Sequence, residues 1–159
     1  MESDLQSREE NMDPDSALPV ARFDQIGVAV RSVDDAARFL KEAFGIECLI
    51  LQMPRARALL RGREVEFVTR IGIARVGALD LELMEIVEGD HIVREYLEKH
   101  GPGLHHLGIY VDDLNAAVAH WRTARRTLVQ MTSHPDGIGT AYLDTERELG
   151  DLYLELIKL

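Results

Sequence analysis

Two stretches of strict apolar–polar alternation stand 81 positions apart in this chain: Asp24-Gln25-Ile26-Gly27-Val28-Ala29-Val30 recurs as His105-His106-Leu107-Gly108-Ile109-Tyr110-Val111. Period two marks both as strands. Each runs into a helical spacing, Val33, Ala36, Ala37 and Leu40 in the first copy and Leu114, Ala117, Val118 and Trp121 in the second, which is i, i+3, i+4, i+7 both times. Ser32 ahead of Asp35 makes a weakened capping box, Asp112 or Asp113 can cap the second helix, and Gly45 stops the first. A further echo closes each copy: Leu81-Glu82-Leu83, within Leu79 to Ile86, matches Leu154-Glu155-Leu156, within Leu152 to Leu159, 73 positions on. The second copy is therefore shorter by eight residues.

Between helix and closing strand each copy has room for two more strands, Cys48 to Met53 and Val65 to Val76 in the first, Leu128 to Met131 and Thr140 to Asp144 in the second. A repeat of this kind dictates the fold reading: an α+β chain of two βαβββ modules forming one curved mixed sheet around a cup. The expected domain covers 21–159, with module one at about 21–88, a link at about 89–103 and module two at about 104–159. The link holds a short helix with Ile92, Val93, Tyr96 and Leu97 on one side and Gly101 as its stop.

Alternation also sorts the side chains by face. Ile26, Val28 and Val30 oppose Gln25, Gly27 and Ala29; Leu107, Ile109 and Val111 oppose His106, Gly108 and Tyr110. In the closing strands Leu79, Leu81 and Leu83 oppose Asp80, Glu82 and Met84, and Leu152, Leu154 and Leu156 oppose Tyr153, Glu155 and Ile157. A carboxylate between leucines in mid-strand is costly to bury unless a cation or donor satisfies it. A pseudo-twofold arrangement of the halves would bring Gln25, Glu82, His106 and Glu155 to one point, with space left by Gly27 and Gly108. An imidazole nitrogen, an amide oxygen and two carboxylates suit one divalent cation with positions left open; zinc, nickel, cobalt, manganese and magnesium all accept such ligands. Periodicity alone leaves open the plainer alternative, two glutamates on a solvated sheet face and an ordinary strand histidine. His91, His100, His120 and His134 read as surface residues, and His105 as pointing away from His106, either behind the ligands or at an edge.

Composition narrows the field. The first twenty residues carry Glu2, Asp4, Glu9, Glu10, Asp13 and Asp15 with almost no aromatics, which reads as a disordered acidic tail over 1–20 rather than a secretion signal. A net charge of −10 argues against a nucleic-acid partner, and no apolar run approaches the roughly 20 residues of a membrane helix. The lone Cys48 rules out an internal disulfide and points to a reducing, cytoplasmic setting. Arg55, Arg57, Arg61 and Arg63 crowd into nine residues; such a run can meet the phosphates of an anionic substrate or be no more than a solvated loop.

The chain from Phe23 to Leu159 resembles the vicinal-oxygen-chelate superfamily, which includes glyoxalase I, methylmalonyl-CoA epimerase, extradiol dioxygenases and fosfomycin-resistance proteins. The longest local match is to the epimerase branch: Glu82-Leu83-Met84-Glu85, Gly89-Asp90, the helix Ile92 to His100, and Gly101-Pro102-Gly103-Leu104-His105-His106. The resemblance implies a glyoxalase-like fold, a metal held by Gln25, Glu82, His106 and Glu155, and proton abstraction beside a carbonyl with Glu155 and Glu82 as the exchanging carboxylates. Two expectations of substrate compete, an acyl-CoA thioester and a glutathione adduct, with a binding protein that performs no chemistry as a third reading. The epimerase usually carries histidine where this chain has Gln25 and often glutamine near Glu82, whereas glutamine, glutamate, histidine and glutamate resemble some glyoxalase I enzymes. Gln25 speaks against a dioxygenase, whose iron wants two histidines and a carboxylate. Arg55, Arg57, Arg61, Arg63, Glu66 and Tyr110 are the candidate substrate contacts, Glu64 or Glu66 an alternative acid, and a homodimer the expected assembly.

Overall fold

A computed structural model describes residues 17–159 of the 159-residue chain. The first strand, β1 (Gln25–Ala29), leads through the cap Ser32 into α1 (Val33–Phe44). The Ser32 side chain accepts from the Asp35 N–H, and Gly45, at φ 69°, ends the helix. Then come β2 (Leu49–Gln52), β3 (Ala56–Leu60), β4 (Arg63–Val76) and β5 (Leu79–Gly89). The link forms α2 (Ile92–His100), stopped at Gly101. The second half runs β6 (Gly103–Tyr110), α3 (Leu114–Thr123), β7 (Leu128–Ser133), β8 (Gly139–Leu143), the short α4 (Glu146–Leu149) and β9 (Tyr153–Lys158). Asp113 caps α3 by accepting from the Ala116 N–H at 2.9 Å.

All nine strands join one curved mixed sheet in the order β2-β4-β3-β7-β8-β9-β6-β1-β5, and β4 also pairs with β5. That last pairing bends the sheet back on itself into a cup. The two halves meet twice. Their first strands run antiparallel, β1 against β6, while β3 touches β7 at Leu59–Met131 and Leu60–Gln130.

The first half has one strand more than the alternation predicts, because the arginine run is not a loop. It forms β3, paired with β4 from Ala56–Phe67 to Leu60–Arg63 and turned by Arg61 and Gly62. The acidic stretch predicted over 1–20 lies mostly outside the described residues. Of its final residues, Leu18 packs against the core beneath α3, and the Ala17 carbonyl lies 2.6 Å from His120 Nε2.

The helices cover the outer face where the alternation placed the apolar side. Val33 and Ala37 of α1 pack on Val30 and Leu83, and Leu114 and Val118 of α3 pack on Ile109, Leu143 and Leu156. The inner face carries a cluster of its own, with Leu60, Val65, Phe67, Ile92, Val129, Tyr142 and Tyr153. Burying each such side chain contributes roughly 1.5–3 kcal/mol. No helix among the described residues is long and apolar enough to cross a membrane.

Candidate metal centre

Register decides what meets inside the cup. Gly27 lies opposite His106 across the β1–β6 seam and beside Glu82 on β5; Gly108 lies opposite Gln25 and beside Glu155 on β9. Each glycine thus leaves room for a side chain from the other half. A Cβ on Gly27 would fall 1.9 Å from His106 Cε1, and one on Gly108 would fall 2.8 Å from Gln25 Cβ. The four polar side chains converge as a result. His106 Nε2 is 3.2 Å from Gln25 Oε1, 3.2 Å from Glu82 Oε2 and 3.0 Å from Glu155 Oε2. All four residues are buried, His106 completely.

Three acceptors around one imidazole nitrogen exceed what a single N–H can serve, and Glu82 Oε2 is left buried without a hydrogen bond. Two carboxylates sunk in protein cost several kcal/mol each unless compensated. The protonation balance tells the same story: burial pushes the Glu82 carboxyl up. Burial also acts to lower His106, but Glu155 and Glu82 overcome it and drive the imidazole up to about 10. The pocket is built for positive charge. The Glu82, His106 and Glu155 ligand atoms lie within 4.8 Å of one another, and with the Gln25 amide oxygen they make a hard donor set that fits a divalent cation.

Behind the centre stands His105, whose Nδ1 is 3.0 Å from His106 Nδ1. Were Nε2 of His106 to hold a cation, its Nδ1–H would donate to His105, the support that metal-bound histidines commonly have. Strict alternation sends His105 to the opposite face, and the structure corrects this. Between Gly27–His106 and Val28–Leu104 the pairing skips a residue. His105 is the extra member of a β-bulge, which turns it inward beside its neighbour.

The centre opens on a cavity of about 260 Å³ lined by Phe67, Thr69, Ile71, Met84, His91 and Tyr142, with Arg55 and Lys158 also on its wall. His91, read from the sequence as a surface residue, is buried here. The other candidate contacts scatter. Arg55 stands at the cavity, paired with Glu88 at 2.8 Å. Arg57 and Glu66 pair with each other at 2.8 Å on the outer face of β3 and β4, since the inward positions of β4 are Val65, Phe67 and Thr69. Glu64 is exposed there too. Arg61 ties the β3–β4 turn to Glu95 and Glu146, and Arg63 pairs with Asp90. Tyr110 does not line the cavity; its hydroxyl donates to Asp80 at 2.7 Å. Sequence spacing grouped the four arginines, and the structure sends them to different carboxylates.

A family model for the glyoxalase/bleomycin resistance protein/dioxygenase superfamily matches residues 24–142. The chain belongs to this superfamily. Its α+β architecture of paired modules around a cup is the glyoxalase-like fold. Among solved structures, the superfamily's shape recurs in a Streptomyces coelicolor methylmalonyl-CoA epimerase variant complexed with 2-nitronate-propionyl-CoA: TM-score 0.66, 22% identity, 88% of this chain and 95% of that one. The Mycobacterium tuberculosis methylmalonyl-CoA epimerase is similar at TM-score 0.66 and 20% identity, covering 94% of each chain. The hypothetical protein BH1468 of Bacillus halodurans C-125 follows at TM-score 0.63 and 20% identity, over 87% of this chain and 94% of that one. At these identities the likeness speaks for the fold. In sequence, the chain is 33% identical to the uncharacterized protein YqjC of Bacillus subtilis (strain 168) over 96 residues, 59% of this chain and 60% of YqjC. The chain thus spans about three fifths of the curated relative that it matches.

Proposed function

We propose that this protein is a metal-dependent isomerase that moves a proton at the carbon beside a carbonyl, acting on an acyl-CoA thioester in the manner of methylmalonyl-CoA epimerase. The observation that carries the reading is the buried quartet, Gln25 and Glu82 from one half, His106 and Glu155 from the other, at a cavity wide enough for an acyl group. A divalent cation in this donor set would polarise the substrate's oxygens and ease the negative charge that grows as the proton leaves. Gln25 and His106 serve only to hold. Glu155 would take the proton from one face of the carbon, and Glu82, once loosened from the cation and carrying a proton from solvent, would return one to the other face, Glu155 then giving its own proton back to solvent. The apolar wall of Phe67, Ile71 and Met84 keeps bulk water from competing. Lys158 and Arg55, the latter shared with Glu88, stand at the cavity to meet the CoA phosphates. A reducing cytoplasmic setting, in keeping with the lone Cys48, and a homodimer complete the reading.

Incubation of metal-loaded protein with methylmalonyl-CoA in deuterated water is expected to place deuterium at C2. Full retention of protium there removes this substrate. One feature favours a second reading, lactoylglutathione lyase: two carboxylates beside one imidazole and one amide cancel a divalent charge, which suits a neutral hemithioacetal. Formation of the thioester from methylglyoxal and glutathione, followed by absorbance, decides for it. Ligand binding without either reaction leaves a binding protein.

A further inference from the structure

The quartet presents acceptors and one lone pair to a cation, so any hydrogen-bond donor for the substrate has to come from another wall. Two side chains at the cavity fit that need. His91 caps α2 in place of the usual serine, threonine or aspartate: the Val93 N–H donates to its Nδ1 at 3.1 Å. With Nδ1 accepting, the neutral ring carries its proton on Nε2, on the edge turned away from the helix. Burial depresses His91 to about 3, which keeps it in this neutral form. The ring is wedged edge-on between Phe67, at 4.6 Å between centroids, and Tyr142, at 5.8 Å, and it lines the cavity. Its position is fixed from both sides.

Tyr142 supplies the second donor. It faces Glu155 in the β8–β9 register, its ring centroid is 5.5 Å from that of His106, and it too lines the cavity. Only 1% of its surface is exposed, and its hydroxyl, with the Glu155 carboxylate nearby, makes no hydrogen bond of normal geometry. A buried hydroxyl left without a partner on the wall of the cavity is a cost to the fold that a ligand's oxygen removes.

We propose that His91 Nε2–H and Tyr142 O–H form a donor pair for a substrate oxygen that the quartet leaves over, and that this oxygen is one carboxylate oxygen of a 2-carboxyacyl thioester. Such a substrate has a thioester oxygen and one carboxylate oxygen to turn to the cation, with the second carboxylate oxygen free for the pair. A simple acyl thioester has nothing to offer it. The inference rests on the acyl-CoA reading above and adds what distinguishes one acyl group from another.

Calorimetric titration of the metal-loaded protein with methylmalonyl-CoA and with propionyl-CoA, which lacks the carboxylate, tests it in wild type, Tyr142→Phe and His91→Asn. Phenylalanine removes a hydroxyl with no partner, so melting temperature is expected to hold or rise; asparagine keeps a capping acceptor. Each variant is expected to bind methylmalonyl-CoA roughly tenfold more weakly, as the loss of one hydrogen bond to a charged group implies, with propionyl-CoA unchanged. The double variant should lose less than the product of the two, since both donors share one oxygen. Wild-type affinity in both single variants, or equal weakening toward both ligands, overturns the donor pair while the acyl-CoA reading survives. A wild type that binds neither thioester overturns both.

Discussion

At the scale of the residue, glycine does as much for the centre as the ligands do. Gly27 and Gly108 stand where the opposite half inserts His106 and Gln25, and a Cβ at Gly27 would come within 2.3 Å of three imidazole atoms. Gly27→Ala is expected to push His106 out of line and weaken divalent-cation affinity by roughly ten- to a hundredfold, the range seen when a metal ligand loses its support. Titration with zinc or manganese reads this directly, and an unchanged affinity would mean that His106 is not a ligand. The converging quartet was legible in the alternation because each member sits at a polar position of an otherwise apolar strand. His105 was not, since a bulge adds a residue without any mark in the pattern of the strand that carries it.

Among the elements, the strands and helices follow the sequence closely where one face is buried. Burial fixes register, and a slip of one residue would expose every leucine of a strand. The arginine run escaped this logic. It spans β3, whose inward positions are the small Ala58 and the apolar Leu60: Arg57 lies in the strand, Arg55 just before it, Arg61 in the turn and Arg63 at the start of β4, and each finds an acid from a different element. The start of α2 hides a further lesson, because His91 is at once its cap and a buried wall of the cavity. A histidine held near 3 in the folded chain and near 6.5 in the unfolded one leaves the unfolded state with more bound protons between those values. Stability is therefore lost as pH falls from about 6.5 toward 3, at about 1.4 kcal/mol per pH unit from this group. Urea unfolding of His91→Asn across that window is expected to show a slope shallower than wild type by that amount; parallel slopes would place His91 in water.

For the molecule as a whole, the centre is a clasp. Each half brings two of the four converging side chains, so a cation held by all of them would join the halves. A bound cation should therefore stabilise the entire cup, by about 2.7 kcal/mol at a concentration a hundred times its dissociation constant. Thermal melts with and without chelator are expected to differ accordingly, and Glu155→Ala should abolish most of the difference. An equal gain in wild type and variant would put the cation elsewhere. The sequence by itself determined the repeat, the faces of its strands, the cap of the first helix and the four side-chain types that face the cup, because periodicity and capping are local and are written in consecutive residues. Only the tertiary structure decided that the ligands meet within hydrogen-bond distance, that His105 turns inward, that the arginines part company and that His91 and Tyr142 share a wall. Those outcomes depend on which strand lies beside which, and on one inserted residue in a ladder, and neither is recorded at any single position of the chain.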